Sequence, residues 1–225
     1  MKIISFGLWG SNPMYLNGAI ENVKLINSLL PDWDCRFYID ENISEDIKKF
    51  PQLKNCQIVI IPECNKYGLM KRFLPLFDSE TERFLIRDTD SRITPREVHH
   101  IKKWEESNLD FFTIRDHISH TFPVMGGLWG GKPNKLPESF KEEFEKFISN
   151  IENYKAFHDY FAYYNCDQFF LRDTLWPLIK ENHLGFVRFP ELILSNNEYV
   201  IDYPLNNPYH FIGQKYNQNN QPMCS

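Results

Sequence analysis

The chain has few cysteines, and their spacing forms no pattern. Cys35, Cys56, Cys64, Cys166 and Cys224 are scattered and odd in number, with no Cys-x-x-Cys pair. That argues against a disulfide frame and against a cysteine zinc site, and reads as reduced thiols in a reducing compartment. No apolar run approaches the roughly 18–20 residues that a bilayer-spanning helix needs. The opening residues Met1-Lys2-Ile3-Ile4-Ser5-Phe6-Gly7 lack the apolar core of a signal peptide. A soluble, cytoplasmic protein without a transmembrane segment is expected. Long basic runs are also missing, and the formal net charge is −5. Nucleic acid is disfavoured as a partner, because phosphate-backbone binding needs a basic footprint. No internal repeat occurs, and low complexity is confined to the Asn/Gln-rich tail from Asn217.

What is present fits one α/β domain spanning 1–225. Apolar residues at 42% suffice for a single core at 225 residues, and aromatics at 16% favour a site lined by rings. Strands are predicted at 2–7, 35–39, 57–61, 83–86 and 110–114. The intervening helices are predicted at 18–30, through Ile43, Ile47 and Phe50, at 69–77 and at 95–106. Thr94 suits an N-cap and Pro95 a first helical position. A loop at 8–16 carries Trp9 and Tyr15. Later helices are predicted at 139–151, amphipathic and charged with a solvated face, and at 167–179, with Pro177 kinking or ending the second. Strand and helix alternation argues for a mostly parallel, Rossmann-like, helix-covered sheet, whose ligands bind at the carboxyl ends of the strands. The reading divides the domain into a nucleotide-binding half (1–92) and an acceptor-side half (93–225).

At one of those carboxyl ends stands Phe84-Leu85-Ile86-Arg87-Asp88-Thr89-Asp90-Ser91-Arg92. Alternation sends Asp88 and Asp90 to one side as the strand ends. Paired carboxylates suit a hard divalent cation, since magnesium takes one or two of them and completes its shell with phosphate oxygens and water. Arg87 and Arg92 are placed to hold the carboxylates or to meet phosphates. A calcium loop fails, because its sixth position is Ile93 and its twelfth His99. A phosphatase with an aspartyl nucleophile usually places its Asp-x-Asp after the first strand, and here three strands precede it. A nucleotide-sugar glycosyltransferase fits the order of parts, its metal absorbing charge on the departing diphosphate. Pro123-Val124-Met125-Gly126-Gly127-Leu128-Trp129-Gly130-Gly131 holds four of the ten glycines, so backbone there must approach something closely. His117 and His120 are read as loop histidines or sugar contacts, and His99 and His100 as surface residues on a charged helix.

Several segments, in this order, resemble a known group. They are Leu16-Asn17-Gly18-Ala19-Ile20-Glu21-Asn22, Arg72-Phe73-Leu74-Pro75, Arg87-Asp88-Thr89-Asp90-Ser91-Arg92 with Arg96-Glu97, Arg115-Asp116-His117, Met125-Gly126-Gly127-Leu128-Trp129-Gly130 and Asp167-Gln168-Phe169-Phe170-Leu171. The group comprises single-domain Asp-x-Asp glycosyltransferase-like proteins of bacteria, large DNA viruses and some eukaryotes. More distantly, the layout is similar to glycogenin-like transferases of the GT-A fold. The late His210-Phe211-Ile212-Gly213 stands where those enzymes have a His-x-x-Gly, but no Lys-Pro-Trp follows it.

The resemblance implies a hexosyl or deoxyhexosyl transferase with a nucleoside-diphosphate sugar, UDP first, as donor and a glycan or glycoprotein as acceptor. Mn²⁺ or Mg²⁺ would be held by Asp88, Asp90 and His210. Phe6, Gly7, Trp9, Tyr15 and Asp40 would hold the nucleoside, and Arg72, Asp116, Gly126 and Gly127 would surround the donor sugar. Asp167 and Gln168 would act at the anomeric centre. Two alternatives stay open: a nucleotide-sugar hydrolase or pyrophosphorylase-like enzyme, and a non-catalytic carbohydrate-binding module on the same fold.

Overall fold

The computed structural model describes residues 1–41, 47, 53–61, 68–157, 165–203 and 210–223. The helix expected through Ile43, Ile47 and Phe50 lies largely outside them. The chain runs β1 (Lys2–Leu8), α1 (Pro13–Leu29), β2 (Asp34–Asp40), β3 (Cys56–Ile61), α2 (Gly68–Lys71), β4 (Arg83–Arg87), α3 (Pro95–Glu106), β5 (Phe111–Arg115), β6 (Leu128–Gly131), α4 (Ser139–Phe157), α5 (Cys166–Phe170), α6 (Trp176–Ile179), β7 (His183–Val187) and β8 (Glu198–Val200). The strands form one sheet in the order β3-β2-β1-β4-β6-β5-β7-β8. All neighbours are parallel except β6, which runs antiparallel to both β4 and β5.

Side-chain alternation divides the core between the two faces of the sheet. Leu85 and Phe112 belong to one buried cluster with Phe6, Val23, Ile26, Phe37 and Trp104, under α1 and α3. Phe84, Ile86 and Phe111 belong to the other, with Phe73, Trp129, Phe140, Phe144 and Phe170. Over 139–151 the α4 helix therefore buries an aromatic stripe (Phe140, Phe144, Phe147) and turns its charged side to water, the amphipathic pattern expected there. Among the described cysteines, Cys35, Cys56 and Cys166 are free thiols, and Cys64 and Cys224 lie outside the described residues.

Several elements differ from the sequence reading in ways the chemistry explains. The first loop is shorter than expected, because the Asn12 side chain accepts the Met14 N–H and Pro13 opens α1. Tyr15 is therefore in a helical first turn. The helix expected at 69–77 breaks into α2 and a 3₁₀ turn, Leu74–Phe77, because Pro75 cannot extend an α-helix. The helix expected at 167–179 is divided by a π-turn, Leu171–Leu175, just before Pro177. Pro177 has no N–H to give the Asp173 carbonyl, and widening that turn relieves the clash with its ring. Thr94 caps α3 as expected, accepting the Glu97 N–H at 3.2 Å.

Candidate functional site

The carboxyl ends of β1 and β4 open into a cavity of about 610 Å³. Its lining includes Gly7 of β1, Trp9 of the first loop and Tyr15 of α1, together with Arg72, Asp88, Asp90, His120, Asp167 and Gln168. Phe211, Gly213 and Lys215 of the C-terminal segment line it too.

Arg72 stands at the centre. It follows α2, and its carbonyl accepts the Ser5 hydroxyl of β1 at 2.6 Å, which anchors this turn to the sheet. Its guanidinium bridges two carboxylates: one nitrogen donates to Asp88 Oδ1 and the other to Asp167 Oδ2 at 2.6 Å. Arg72 and Asp167 are almost fully buried, whereas Asp88 is partly open. Burial pushes the Asp167 carboxyl above its ordinary value, against the pull of Arg72 and with the push of Asp88. Asp90 has no such partner. Its nearest described cation is Lys215, at 3.7 Å. Burial, and then the Asp88 charge, push the Asp90 carboxyl up to about 6.

The glycine-rich segment now has its physical reason. A Cβ on Gly126 would lie 2.1 Å from Asp167 Oδ2 and 2.7 Å from Arg72 Nη2, and one on Gly127 would lie 2.0 Å from Asp88 Oδ2. The acidic and basic groups pack directly on backbone. Gln168, with its amide turned to satisfy both ends, donates to the Val124 carbonyl (3.1 Å) and accepts the Gly126 N–H (2.8 Å). Gly127→Ala is expected to push Asp88 off Arg72 and to cost about 1–3 kcal/mol through overpacking. Urea unfolding beside donor titration checks this, and wild-type values in both would contradict the close approach.

The acidic turn is held by Asn22, to which the sequence reading gave no role, and by Arg87 and Arg92, which were expected to hold the carboxylates or meet phosphates. Asn22, buried on α1, donates to the Thr89 (3.3 Å) and Ser91 (2.8 Å) carbonyls and accepts the Ile93 N–H (3.3 Å). Arg92 donates to the same two carbonyls at 3.0 Å. Arg87 is turned into the protein, 3.1 Å from Glu97 and donating to the Gly127 carbonyl. Neither arginine holds Asp88 or Asp90, so both set the shape of the turn. The signal available in sequence was a polar Asn inside the apolar face of α1.

Six expected residues are absent from the cavity wall: Gly126 and Gly127 pack against Asp167 and Asp88, and four others lie elsewhere. Phe6 is a core residue stacked on Phe37 at 4.8 Å. Asp40 ends β2, buried. Asp116 is buried against Arg96, and it accepts the Ile212 N–H at 2.7 Å, so it anchors the C-terminal segment instead of facing a sugar. His210 is exposed. The segment docks through Phe211, stacked on His117 at 4.3 Å, and through the Tyr216 N–H on the Asp90 carbonyl at 2.8 Å. This docking does not bring His210 to Asp88 and Asp90. His120 does line the cavity. Its Nδ1 accepts the Asp116 N–H at 3.1 Å, which leaves the ring proton on Nε2. Burial first, then the nearby His117 and Arg115, push its pKa down to about 3, so the ring is neutral.

The apo form of the glycosyltransferase GlyE from Streptococcus pneumoniae TIGR4 superposes with a TM-score of 0.51 at 14% identity, over 82% of this chain and 44% of that one. The fold is of the GT-A type. A galactosyltransferase, LgtC, in complex with donor and acceptor sugar analogues matches with a TM-score of 0.47 at 15% identity, over 84% of this chain and 74% of that one. No family model matches the sequence, and no curated protein does. Among the described residues, no helix is long and apolar enough to cross a membrane.

Proposed function

We propose that the chain is a glycosyltransferase that moves a sugar from a nucleoside-diphosphate sugar to an acceptor hydroxyl. The observation that carries this reading is the Asp88–Arg72–Asp167 array beside Asp90, on the wall of a cavity at the strand ends. UDP is the first nucleotide to test, on the resemblance of the sequence segments. Asp88 and Asp90 fit a hard divalent ion such as Mn²⁺ or Mg²⁺, because two carboxylates stand together on the cavity wall, and burial first, then the Asp88 charge, raises the Asp90 carboxyl. Such an ion, when bound, supplies Lewis-acid stabilisation of the departing diphosphate.

The remaining roles belong to the chain itself. Trp9 and Tyr15 offer rings at the first-strand end of the cavity for a nucleobase to stack on. Lys215 adds positive charge beside Asp90, where a diphosphate would lie. His120, neutral with its proton on Nε2, serves as a hydrogen-bond donor to a sugar hydroxyl. Asp167 is poorly suited to be a general base, because Arg72 already holds its carboxylate. Its role is to fix Arg72 near the donor sugar, with Gln168 setting the backbone at Gly126, and the resemblance of the Asp-Gln placement to glycogenin-like enzymes makes retention of anomeric configuration the first outcome to test.

The test is incubation of UDP-sugars and Mn²⁺ with and without simple sugar acceptors, followed by NMR of the product anomer. A retained anomer on an added acceptor is expected. Acceptor-free UDP release would turn the reading to hydrolysis, and donor binding without turnover would turn it to a carbohydrate-binding module.

A further inference from the structure

The notable cluster outside the cavity lies on α3 and the chain just after β8. His99, His100 and Asp202 each place a ligand atom within 4.8 Å of the others. His99 Nε2 is 3.5 Å and His100 Nε2 is 3.4 Å from the same oxygen, Asp202 Oδ1. The sequence reading placed both histidines at the surface, but His100 is completely buried, its ring 4.5 Å from that of Phe186.

The hydrogen bonds of His100 decide its chemistry. Nδ1 lies 2.7 Å from the Arg96 carbonyl, which can only accept, so Nδ1 carries the proton. Nε2 is left with a lone pair, is buried, and has no hydrogen-bond partner. It faces a carboxylate oxygen 3.4 Å away, so two electron pairs oppose each other, and a cation between them would satisfy both.

We propose that His99, His100 and Asp202 form a binding site for a borderline divalent transition metal, Zn²⁺ foremost. Two imidazoles and one carboxylate are a ligand set that zinc accepts, and Mg²⁺ prefers an all-oxygen shell. A tetrahedral ion with bonds of about 2.0–2.1 Å holds its ligands about 3.3–3.4 Å apart, which matches the two nitrogen–oxygen separations. A backbone carbonyl on the distal ring nitrogen is the usual way a ligating histidine is oriented. Asp202 and His99 are partly open to solvent, which gives an ion its way in and leaves room for water as a fourth ligand. Lys103 holds the other Asp202 oxygen and leaves Oδ1 for the ion.

The ion would tie the chain after β8 to α3. Arg96, one turn earlier, already donates to the Tyr203 carbonyl at 3.1 Å and pairs with Asp116, the anchor of Ile212. None of the three ligands lines the cavity, so the site stands independently of the proposed transfer reaction.

The test uses the full chain without a polyhistidine tag, stripped by chelator and titrated with Co²⁺. One equivalent is expected to give the intense visible bands of four-coordinate cobalt with imidazole ligands, and Zn²⁺ should displace it. An ion on the oxygen-rich Asp88–Asp90 pair would give only the weak bands of six-coordinate cobalt. His99→Gln and Asp202→Asn, both at partly exposed positions, should each weaken binding beyond the roughly 10–100-fold cost of losing an outer partner. Thermal melts confirm that the variants fold. A wild-type titration without four-coordinate bands would overturn the proposal, as would unchanged cobalt affinity in either folded variant.

Discussion

Asp90→Asn is expected to abolish Mn²⁺-dependent donor binding while making the metal-free protein more stable at neutral and alkaline pH. The carboxyl is raised from 3.8 to about 6 in the folded chain, by burial first and by the charge of Asp88 second. A group whose pKa rises on folding binds its proton more tightly in the native state. Its contribution is fully present below about pH 4 and is lost as the pH climbs through 6. Asparagine does not titrate, so the variant escapes that loss. The stability gap between variant and wild type should be near zero at pH 4 and on the order of 1 kcal/mol in the variant's favour at pH 8. Urea unfolding at the two pH values, without metal, measures it. UDP titration in the presence of Mn²⁺ measures the other half. Retained metal-dependent affinity would remove Asp90 from the metal site, and a gap independent of pH would remove the crowding argument.

The strands of the first half could be read from sequence because each is an apolar run ended by a turn former or a charge. Residues 2–7, 35–39, 57–61 and 83–86 all fall within strands that pair in parallel in one sheet. The β6 strand was not readable in that way. Leu128-Trp129-Gly130-Gly131 has only two side chains to alternate, and it is a strand because β4 and β5 pair with it from both sides. A Cβ on Gly130 would meet the Phe84 carbonyl at 2.4 Å, so the glycine serves a packing distance, which a pattern along one segment does not reveal. The β8 strand, three residues at the sheet edge, is likewise set by its neighbour β7.

The candidate site divides along the same line. Asp88, Asp90, Arg72, Asp167 and Gln168 meet around one cavity, where the order of the sequence segments implied they should. Asp116 and His210 belonged to the same set of expectations and do not line it. The difference lies in direction. Asp116 leaves β5 toward α3, where Arg96 captures it, and His210 precedes a segment whose apolar Phe211 and Ile212 decide how it docks. Sequence order specifies the neighbourhood of a side chain, and the competition for buried partners decides where it points.

Arg72→Met should have the larger effect on folding and an equal effect on catalysis. Arg72 is the side chain that pairs with both Asp88 and the buried Asp167. Removing one partner of a buried ion pair leaves the other as an uncompensated charge, which costs about 3–5 kcal/mol. The cost has a pH signature. Without Arg72, burial and the Asp88 charge raise the Asp167 pKa, opposed by the Gln168 backbone N–H. The variant should therefore lose stability as pH rises, and recover part of it when Asp167 is protonated in acid. The double variant Arg72→Met with Asp167→Asn removes the stranded charge and should regain most of the lost stability, because the two positions are in contact and their effects are not additive. Transfer should not return with it, since the donor sugar would still lack its guanidinium. Urea unfolding of the wild type, Arg72→Met, Asp167→Asn and the double variant, with UDP-sugar turnover for each, separates the two roles. A double variant as unstable as Arg72→Met alone would contradict the charge argument. One that regained both stability and turnover would show that Arg72 holds the fold and plays no part in binding the donor.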